Sequence, residues 1–433
     1  MPSDPFVLIP SMLALVALLL LLAATPTKLR TKLHAAAIGG SAVLTSLQVA
    51  NVHVFTLLTF GWVILHLSRR TTFTTPMALL LLASALVASS VVAGDLVGNP
   101  RLAVQLALLV LSALSLAMYS TQHERLVMAK GALTVITISG GYGVGQLVGL
   151  FPSRAGLVHL DISAVGRPSG LWPEPDWLGM YCAVGILLAW HLPIKRWQRA
   201  IALPMCTVMW VLAFARGAWV ALVATVIIAT AANYLWRKYR DQGQATHRRT
   251  AIAITLIGAT TLLYFLPALT NDLLIRLQRT IALDSEDVSG QARIQQTQGL
   301  FALADESPWY GRGLSAAGRV GVSGKLYLDE SSNSVASNWI FGLWVDSRWL
   351  AVPFVALIIG LLFVSVRSLA GQITSVVAIS SLFSNATYMP IFWFGLALTL
   401  AWLATQKDKS SQKAGLGADA QNVEQAAEPP ISK

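Results

Sequence analysis

The feature that most constrains the fold of this chain is a series of long apolar runs that recurs from residue 6 to residue 405. Of the 433 residues, 55% are apolar and 12% are charged, a charged share that is about half that of an ordinary soluble domain. A bilayer offers the backbone no hydrogen-bond partners, so a chain that crosses it repeatedly must satisfy its own amides, and runs of this length favour helices. We therefore predict an all-α polytopic membrane protein and exclude a disordered chain and a soluble enzyme.

The apolar runs predict about 12–13 transmembrane helices. The first run, 6–24, has no Lys or Arg in front of it, so we interpret it as a retained span and not as a cleaved signal peptide. The runs 35–50 and 54–67 are short for a bilayer span, and one of them is a candidate re-entrant segment. The remaining predicted spans are 75–93, 102–119, 131–151, 177–192, 200–215, 218–236, 250–270, 337–366, 369–388 and 391–405.

Basic residues are distributed unevenly between the two sides that these spans define. The net charge is +11, and most of the 31 Lys and Arg residues fall on one side, which the positive-inside rule makes cytoplasmic. The excess charge therefore indicates orientation and contact with membrane lipids, and no basic patch interleaved with aromatic residues indicates nucleic-acid binding. The chain then divides into a transmembrane bundle with short loops at 1–270, a large extracytoplasmic loop carrying helices at 271–336, the last three transmembrane helices at 337–405 and a disordered cytoplasmic tail at 406–433.

Two arginines occupy positions that suit anion binding. Arg216 lies between two apolar runs, in Ala215–Trp219, at the predicted outer face of the membrane. An arginine there either holds an anion at the floor of an outward cavity or snorkels to the surface, and its small neighbours favour the first interpretation. Arg293 lies near the start of a predicted helix at Ser289–Asp305. Its guanidinium suits bidentate phosphate contacts, and it equally suits an exposed polar helix face.

Further polar candidates lie in the large loop and in the loop before it. Arg312 stands between two glycines, which predicts a tight turn that either contacts a sugar or is purely structural. In Arg167–Asp176, Glu174 either orients or deprotonates an acceptor hydroxyl or has a purely structural role at the helix start. Asp176 either contacts the acceptor or caps the helix that follows. His159 is either an acceptor contact or a solvated loop histidine.

The sequence predicts no cofactor and no metal. Paired carboxylates of the Asp-x-Asp kind, which hold Mg²⁺ for nucleotide sugars, are missing from the loops, and Asp329–Glu330 is only a weak substitute. The chain has no glycine-rich phosphate-binding loop with its lysine, which argues against ATP-driven transport. The two cysteines, Cys182 and Cys206, lie in apolar runs and are interpreted as small buried hydrophobic residues.

Six short motifs follow one another between residues 160 and 400. They are Arg167–Asp176 (RPSGLWPEPD), Ala215–Trp219 (ARGAW), Ser289–Arg293 (SGQAR), Ser307–Gly313 (SPWYGRG), Ser337–Phe341 (SNWIF) and Asn385–Trp393 (NATYMPIFW). Taken together and in this order, the motifs resemble the O-antigen ligase / O-antigen polymerase superfamily, integral-membrane enzymes that use lipid-diphosphate-linked glycans. The first 150 residues are similar to that family only in being a run of spans.

The resemblance implies roles for individual residues. In this family the arginine at the span end and the arginine that opens the large-loop helix hold the donor diphosphate, which implies that role for Arg216 and Arg293. Ligases of the family open the next span with a His-Asn pair, where this chain has Ser337 and Asn338. A serine has no useful basicity near neutral pH, so either Glu174 or His159 does the work of that histidine or the protein is a polymerase that does not need it. The expected substrate contacts are Arg312, Arg167, Asp176, Ser337, Asn338, Trp219 and His159.

The resemblance also implies the reaction and its place in the cell. We expect a glycosyltransferase C-like fold in the bacterial inner membrane, whose extracytoplasmic active site moves a glycan from undecaprenyl diphosphate to a glycan or lipid acceptor with inversion. The missing histidine favours a repeat-unit polymerase. An O-antigen ligase that transfers to a lipid core, a protein or another surface acceptor is the alternative. A lipid-linked glycan flippase is the second alternative, although the spans hold almost no ionisable groups at mid-depth.

Overall fold

The computed structural model describes residues 27–49, 51–69, 71–93, 99–151, 167–238, 288–321, 323–327 and 336–406. The predicted spans 6–24 and 250–270, the predicted tail after residue 406, His159 and the pair Asp329–Glu330 lie outside the described residues.

The described part of the chain is an α-helical membrane bundle with one two-stranded hairpin, which confirms the predicted fold class. Five apolar stretches are long enough to cross a bilayer: Thr75–Val92, Pro100–Tyr119, Gln122–Leu147, Arg216–Leu235 and Trp339–Ser365. The helices are α1 Thr27–Val43, α2 Val54–His66, α3 Thr75–Ala93, α4 Pro100–Tyr119, α5 Gln122–Leu147, α6 Pro175–His191, α7 Arg196–Leu212, α8 Arg216–Lys238, α9 Val288–Asp305, α10 Trp339–Ser347, α11 Val352–Ser365, α12 Leu369–Ser384 and α13 Pro390–Gln406.

The predicted span 35–50 is wrong in its second half. Helix α1 ends at Val43, and the chain then forms an antiparallel hairpin of β1 Gln48–Val49 and β2 Val52–His53. Asn51 supplies the positive φ, 65°, that such a tight connection requires. Apolar composition alone did not separate this short hairpin from a helix, because both bury apolar side chains.

The predicted span 337–366 is interrupted near its middle. Helix α10 ends at Ser347, and Arg348 has a φ of 44°, which ends the helical hydrogen bonding. A short 3₁₀ turn at Arg348–Ala351 leads into α11. The Arg348 guanidinium lies over the Trp344 ring, with 4.8 Å between the guanidinium carbon and the ring centroid.

Helices α1 and α5 approach each other at glycines. A Cβ on Gly39 would overlap with the carbonyl oxygen of Met128, and one on Gly131 would overlap with the carbonyl oxygen of Ala36. Small residues allow this backbone-to-backbone contact, which is typical of helix pairs in membranes. Helix α6 is buried among α5, α7, α8 and α12, and its Cys182 and the Cys206 of α7 are both buried free thiols, as predicted.

The described part of the large loop packs on α10 through its own small apolar cluster. The predicted helix at Ser289–Asp305 is confirmed as α9, and its buried side chains repeat at helical spacing. A 3₁₀ turn at Ala317–Arg319 follows the glycine turn. The cluster consists of Leu300, Leu303, Ala304, Ala316, Ala317, Val320, Ala336 and Val345.

Candidate functional site

Arg216 is the first residue of α8 and is half-buried. The turn before it places Phe214 at a φ of 50°, so the chain reverses sharply between α7 and α8. The first turn of a helix carries amide N–H groups without intrahelical partners and the positive end of the helix dipole. Arg216 therefore lies where the backbone also favours an anion.

Gly217 brings the start of α8 against the end of α12. A Cβ on Gly217 would lie 2.9 Å from the Cβ of Phe383, closer than side-chain carbons ordinarily approach. Phe383 is two residues before Asn385 and belongs to the same helix end. Gly217, one of the small neighbours of Arg216, makes room for Phe383, and the role of these neighbours in ligand binding stays a prediction.

Arg167 connects the loop before α6 to the α7–α8 turn. Its side chain is only 6% exposed, its Nε donates to the Ala213 carbonyl at 3.0 Å, and its Nη2 lies 2.6 Å from Oδ1 of Asp176. Asp176 is the second residue of α6, so its interpretation as the N-cap was wrong: the cap position belongs to Glu174. The structure gives Arg167 and Asp176 a structural bond, and their contact with substrate stays a prediction.

Glu174 lies at the surface beside this ion pair. Its backbone is extended at the N-cap, its side chain makes no capping hydrogen bond, and the residue is exposed. Trp172, two residues earlier, is buried: it is 2% exposed, and its Nε1 donates to the Val43 carbonyl at 2.7 Å. The loop is thus anchored through Trp172, while Glu174 is exposed on the protein surface.

Trp219 fastens α8 to α7. Its Nε1 donates to the Trp210 carbonyl at 2.9 Å, and the Trp210 Nε1 donates back to the Ala218 carbonyl at 3.2 Å. These reciprocal bonds occupy the indole N–H that a sugar would otherwise use. Trp219 supports the turn that carries Arg216, and its predicted substrate contact is not tested.

Ser337 is joined to α9 by a side-chain hydrogen bond. Its hydroxyl donates to Oε1 of Gln296, and the Nε2 of Gln296 donates to the Val320 carbonyl at 2.9 Å. Asn338 caps α10: its Oδ1 accepts from the amides of Ile340 and Phe341 at 3.0 and 3.1 Å, and its expected substrate contact stays a prediction.

Asn385 holds the other side of the Ser337 segment. Its backbone N–H donates to the Ser337 carbonyl at 2.8 Å, and its Nδ2 donates to the Ala336 carbonyl at 2.8 Å. Asn385 itself has a φ of 22°, which an asparagine tolerates better than most residues. The segment that occupies the ligase His-Asn position is therefore fixed between α9 and the end of α12.

Arg293 lies on α9, three residues before Gln296. Residues three apart share a helix face, so the backbone position of Arg293 is on the face that bonds to Ser337. From that face, contacts run through Ser337 and Asn385 to the end of α12, where Phe383 meets the start of α8. The helix of Arg216 thus contacts the end of α12 directly, and the helix of Arg293 is linked to it through Ser337.

Part of the chain that carries these residues matches a known protein family. Residues 200–347 match the family model described as O-antigen ligase. This match confirms the resemblance to the O-antigen ligase / O-antigen polymerase superfamily. Comparison with curated proteins and with solved structures gave no match.

The matched O-antigen ligase region contains Arg216, Arg293, Arg312 and Ser337. The flanking motifs at 167–176 and 385–393 lie outside it. They nevertheless pack directly on it, through the bond of Arg167 to Ala213 and that of Asn385 to Ser337.

In the matched region, the backbone of the Gly-Arg-Gly turn packs against the end of α10. Gly311 and Gly313 have φ values of 87° and 97°, as the predicted tight turn requires, and a Cβ on Gly311 would overlap with the backbone of Asp346. The Arg312 guanidinium donates from Nη2 to the Glu306 carbonyl at 2.6 Å. Arg312 is thus held close to the end of α9, and its sugar contact stays a prediction.

Sequence reasoning missed Gln296 and Asp346. Asp346 is 4% exposed, and its Oδ1 accepts from the Ala317 amide at 2.7 Å, which ties the turn to α10. Gln296 was one amide among several in α9, and only the fold shows which of them meets Ser337. A usable signal was its position, since Gln296 continues the apolar stripe of Leu300 and Leu303 toward Arg293.

His53 is a buried histidine to which the sequence analysis gave no role. It ends the hairpin, is 2% exposed, and lies 2.6 Å through Nε2 from the Gln105 amide nitrogen. Burial lowers the pKa of His53 to about 4. Its imidazole is therefore neutral at ordinary pH and suits a structural hydrogen bond.

Proposed function

We propose that this protein is an inverting, metal-independent glycosyltransferase that moves an oligosaccharide or polysaccharide from undecaprenyl diphosphate to an acceptor. The transfer takes place on the extracytoplasmic face of the bacterial inner membrane. The observation that carries the proposal is that the start of the Arg216 helix contacts Phe383 while the Arg293 helix is linked to Asn385 through Ser337, with both arginines inside the region that matches the O-antigen ligase family.

The chemistry needs cations at the leaving group. An acceptor hydroxyl oxygen attacks the anomeric carbon of the donor while the bond from that carbon to the diphosphate oxygen breaks. Its electron pair leaves with the diphosphate, and Arg216 and Arg293 stabilise the charge that develops there. The hydroxyl proton passes to the exposed Glu174 carboxylate. Attack from the face opposite the diphosphate inverts the anomeric configuration.

The occupant of the His-Asn position favours a repeat-unit polymerase. Ser337 cannot act as a base near neutral pH, and its hydroxyl donates a hydrogen bond to Oε1 of Gln296. The acceptor in a polymerase is a second lipid-linked repeat. Transfer to a lipid core, a protein or another surface molecule, as in a ligase, is the alternative, and a flippase for lipid-linked glycans is the second.

The test uses the purified full chain in detergent with a lipid-diphosphate-linked oligosaccharide, EDTA and no nucleotide. Released undecaprenyl diphosphate is the readout. We expect release by the wild type and a loss of about 100-fold or more in Arg216→Ala and Arg293→Ala, the range for removing one group that stabilises a developing anion. Lys325→Ala, which removes an exposed cation of the same loop, should keep full activity.

The products separate the alternatives. A ladder of lipid-linked products indicates a polymerase, and a single transfer to an added acceptor indicates a ligase. No release with any lipid-linked donor would favour the flippase. Full activity in both arginine variants would remove the assignment of the two phosphate-binding arginines.

A further inference from the structure

We infer that Gln296 is a positioning residue for Arg293: it fixes α9 on the Ser337 segment so that the Arg293 guanidinium meets the donor diphosphate. The inference rests on the proposed function, and it adds a residue to which neither the motifs nor the family match gives a role.

Both ends of the Gln296 amide are engaged by different segments. Oε1 accepts the hydroxyl proton of Ser337, and Nε2 donates to the Val320 carbonyl at 2.9 Å. Ser337 in turn accepts from the Asn385 backbone through its carbonyl. One neutral side chain therefore joins α9, the 3₁₀ turn and the entry to α10.

The rest of α9 explains why this contact sets the helix position at the Arg293 end. The apolar contacts of α9 come from Leu300, Leu303 and Ala304, in its second half. Gln296 bonds to Ser337 and Val320 on the helix face that Arg293 shares, and Arg293 is one turn further toward the N-terminus. Loss of these two bonds therefore changes the support of α9 one turn from Arg293 while the apolar half of the helix stays packed.

A single substitution that adds a negative charge at Gln296 tests its positioning role. Gln296→Glu has nearly the same shape, but its carboxylate cannot donate to Val320 and brings a negative charge within one turn of Arg293. We expect undecaprenyl diphosphate to bind about tenfold more weakly at pH 7.5. The loss should shrink toward pH 5.5, because the protonated carboxyl again donates one bond and accepts another.

The matched control is Gln298→Glu. Gln298 is exposed on the same helix, two residues away and so on a different face. It adds the same charge to α9 without touching Ser337, and we expect less than a twofold change in binding. An equal loss in both variants would overturn the inference, because it would show a general charge effect.

A double-mutant cycle asks whether Gln296 acts through Arg293. In an Arg293→Ala background, Gln296→Glu should change the dissociation constant of undecaprenyl diphosphate less than twofold. Additive losses would contradict the inference. Ser337→Ala is a smaller change that removes the hydroxyl bonded to Gln296. It should weaken binding in the wild-type background and not in the Arg293→Ala background. This variant keeps the test decisive if Gln296→Glu does not fold.

The outcomes separate this inference from the proposed function. If the wild type binds undecaprenyl diphosphate, Arg293→Ala weakens it and both Gln296→Glu and Ser337→Ala bind like the wild type, only the role of Gln296 is wrong. If the wild type does not bind, the proposed function fails and this inference fails with it.

Discussion

Arg167 and Asp176 form an ion pair that closes the loop before α6 onto the turn before Arg216. The Arg167 Nη2 lies 2.6 Å from the Asp176 Oδ1, with the arginine side chain 6% exposed and the aspartate 33% exposed. The same guanidinium donates to the carbonyl of Ala213, at the end of α7. Two residues that the sequence suggested as substrate ligands are thus bonded to each other, and their contact with substrate stays a prediction.

Removal of Arg167 should destabilise the protein. Arg167→Ala leaves the Asp176 carboxylate and the Ala213 carbonyl without this donor, and we expect a loss of about 2–3 kcal/mol, reduced from that of a fully buried pair by the partial exposure of Asp176. Thermal unfolding in detergent measures it. Arg101→Ala, which removes an exposed arginine at the start of α4, should leave the midpoint unchanged, and an equal midpoint in both variants would show that the ion pair is dispensable.

A side chain at Gly217 should impair activity more than it impairs stability. In Gly217→Ala the new methyl group meets Phe383, and because Gly217 follows Arg216 directly, relief of the contact displaces the start of α8. We expect transferase activity to fall about tenfold or more, as small misplacements of a catalytic group do. Phe383→Ala in the same chain should restore part of it.

The control for this substitution is Gly360→Ala. No atom lies within 4 Å of a Cβ at Gly360, which is in α11, so the alanine should be neutral or slightly stabilising, by about 0.5–1 kcal/mol. Full activity in Gly217→Ala would show that the contact with Phe383 does not set the position of Arg216.

The close approach of α1 and α5 predicts a strict size limit at Gly39. Gly39→Ala places a methyl group on the Met128 carbonyl, so the helices must separate and lose their contacts along the interface. We expect a loss of about 1–3 kcal/mol, measured by unfolding in detergent. Gly141→Ala is the matched control. Gly141 lies in α5, and a Cβ there meets no atom within 4 Å, so this variant should unfold like the wild type.

His53 predicts a stability that falls with acidification. Its pKa is lowered to about 4 by burial, against 6.5 for an ordinary histidine, so the unfolded chain binds the proton first. The stability that neutral His53 contributes is fully present above about pH 6.5. It is lost as the pH falls toward about 4, which lowers the free energy of unfolding by up to about 3 kcal/mol. His53→Gln, which keeps a polar side chain without a proton to gain, should flatten the wild-type curve of unfolding midpoint against pH. Parallel curves for the two proteins would show that His53 is not the group responsible.

Part of the site was predictable because the chemistry is local in sequence. The helix at α9, the start of α8 next to Arg216 and the positive φ of Gly311 and Gly313 all follow from residue type and spacing. The end of α1 at Val43 and the interruption at Arg348 did not follow, because their apolar flanks read as continuous spans and the breaks depend on what each segment meets.

The amino-acid sequence by itself determined that this is a helical membrane protein with a region similar to the O-antigen ligase family, because apolar runs and motif order are properties of the chain. Only the tertiary structure decided which polar groups meet: Arg167 with Asp176, and Gln296 with Ser337. The physical reason is that such partners lie on different elements. Their pairing depends on how the helices pack around α6 and α12, and a charge or an amide in a sequence does not specify its partner.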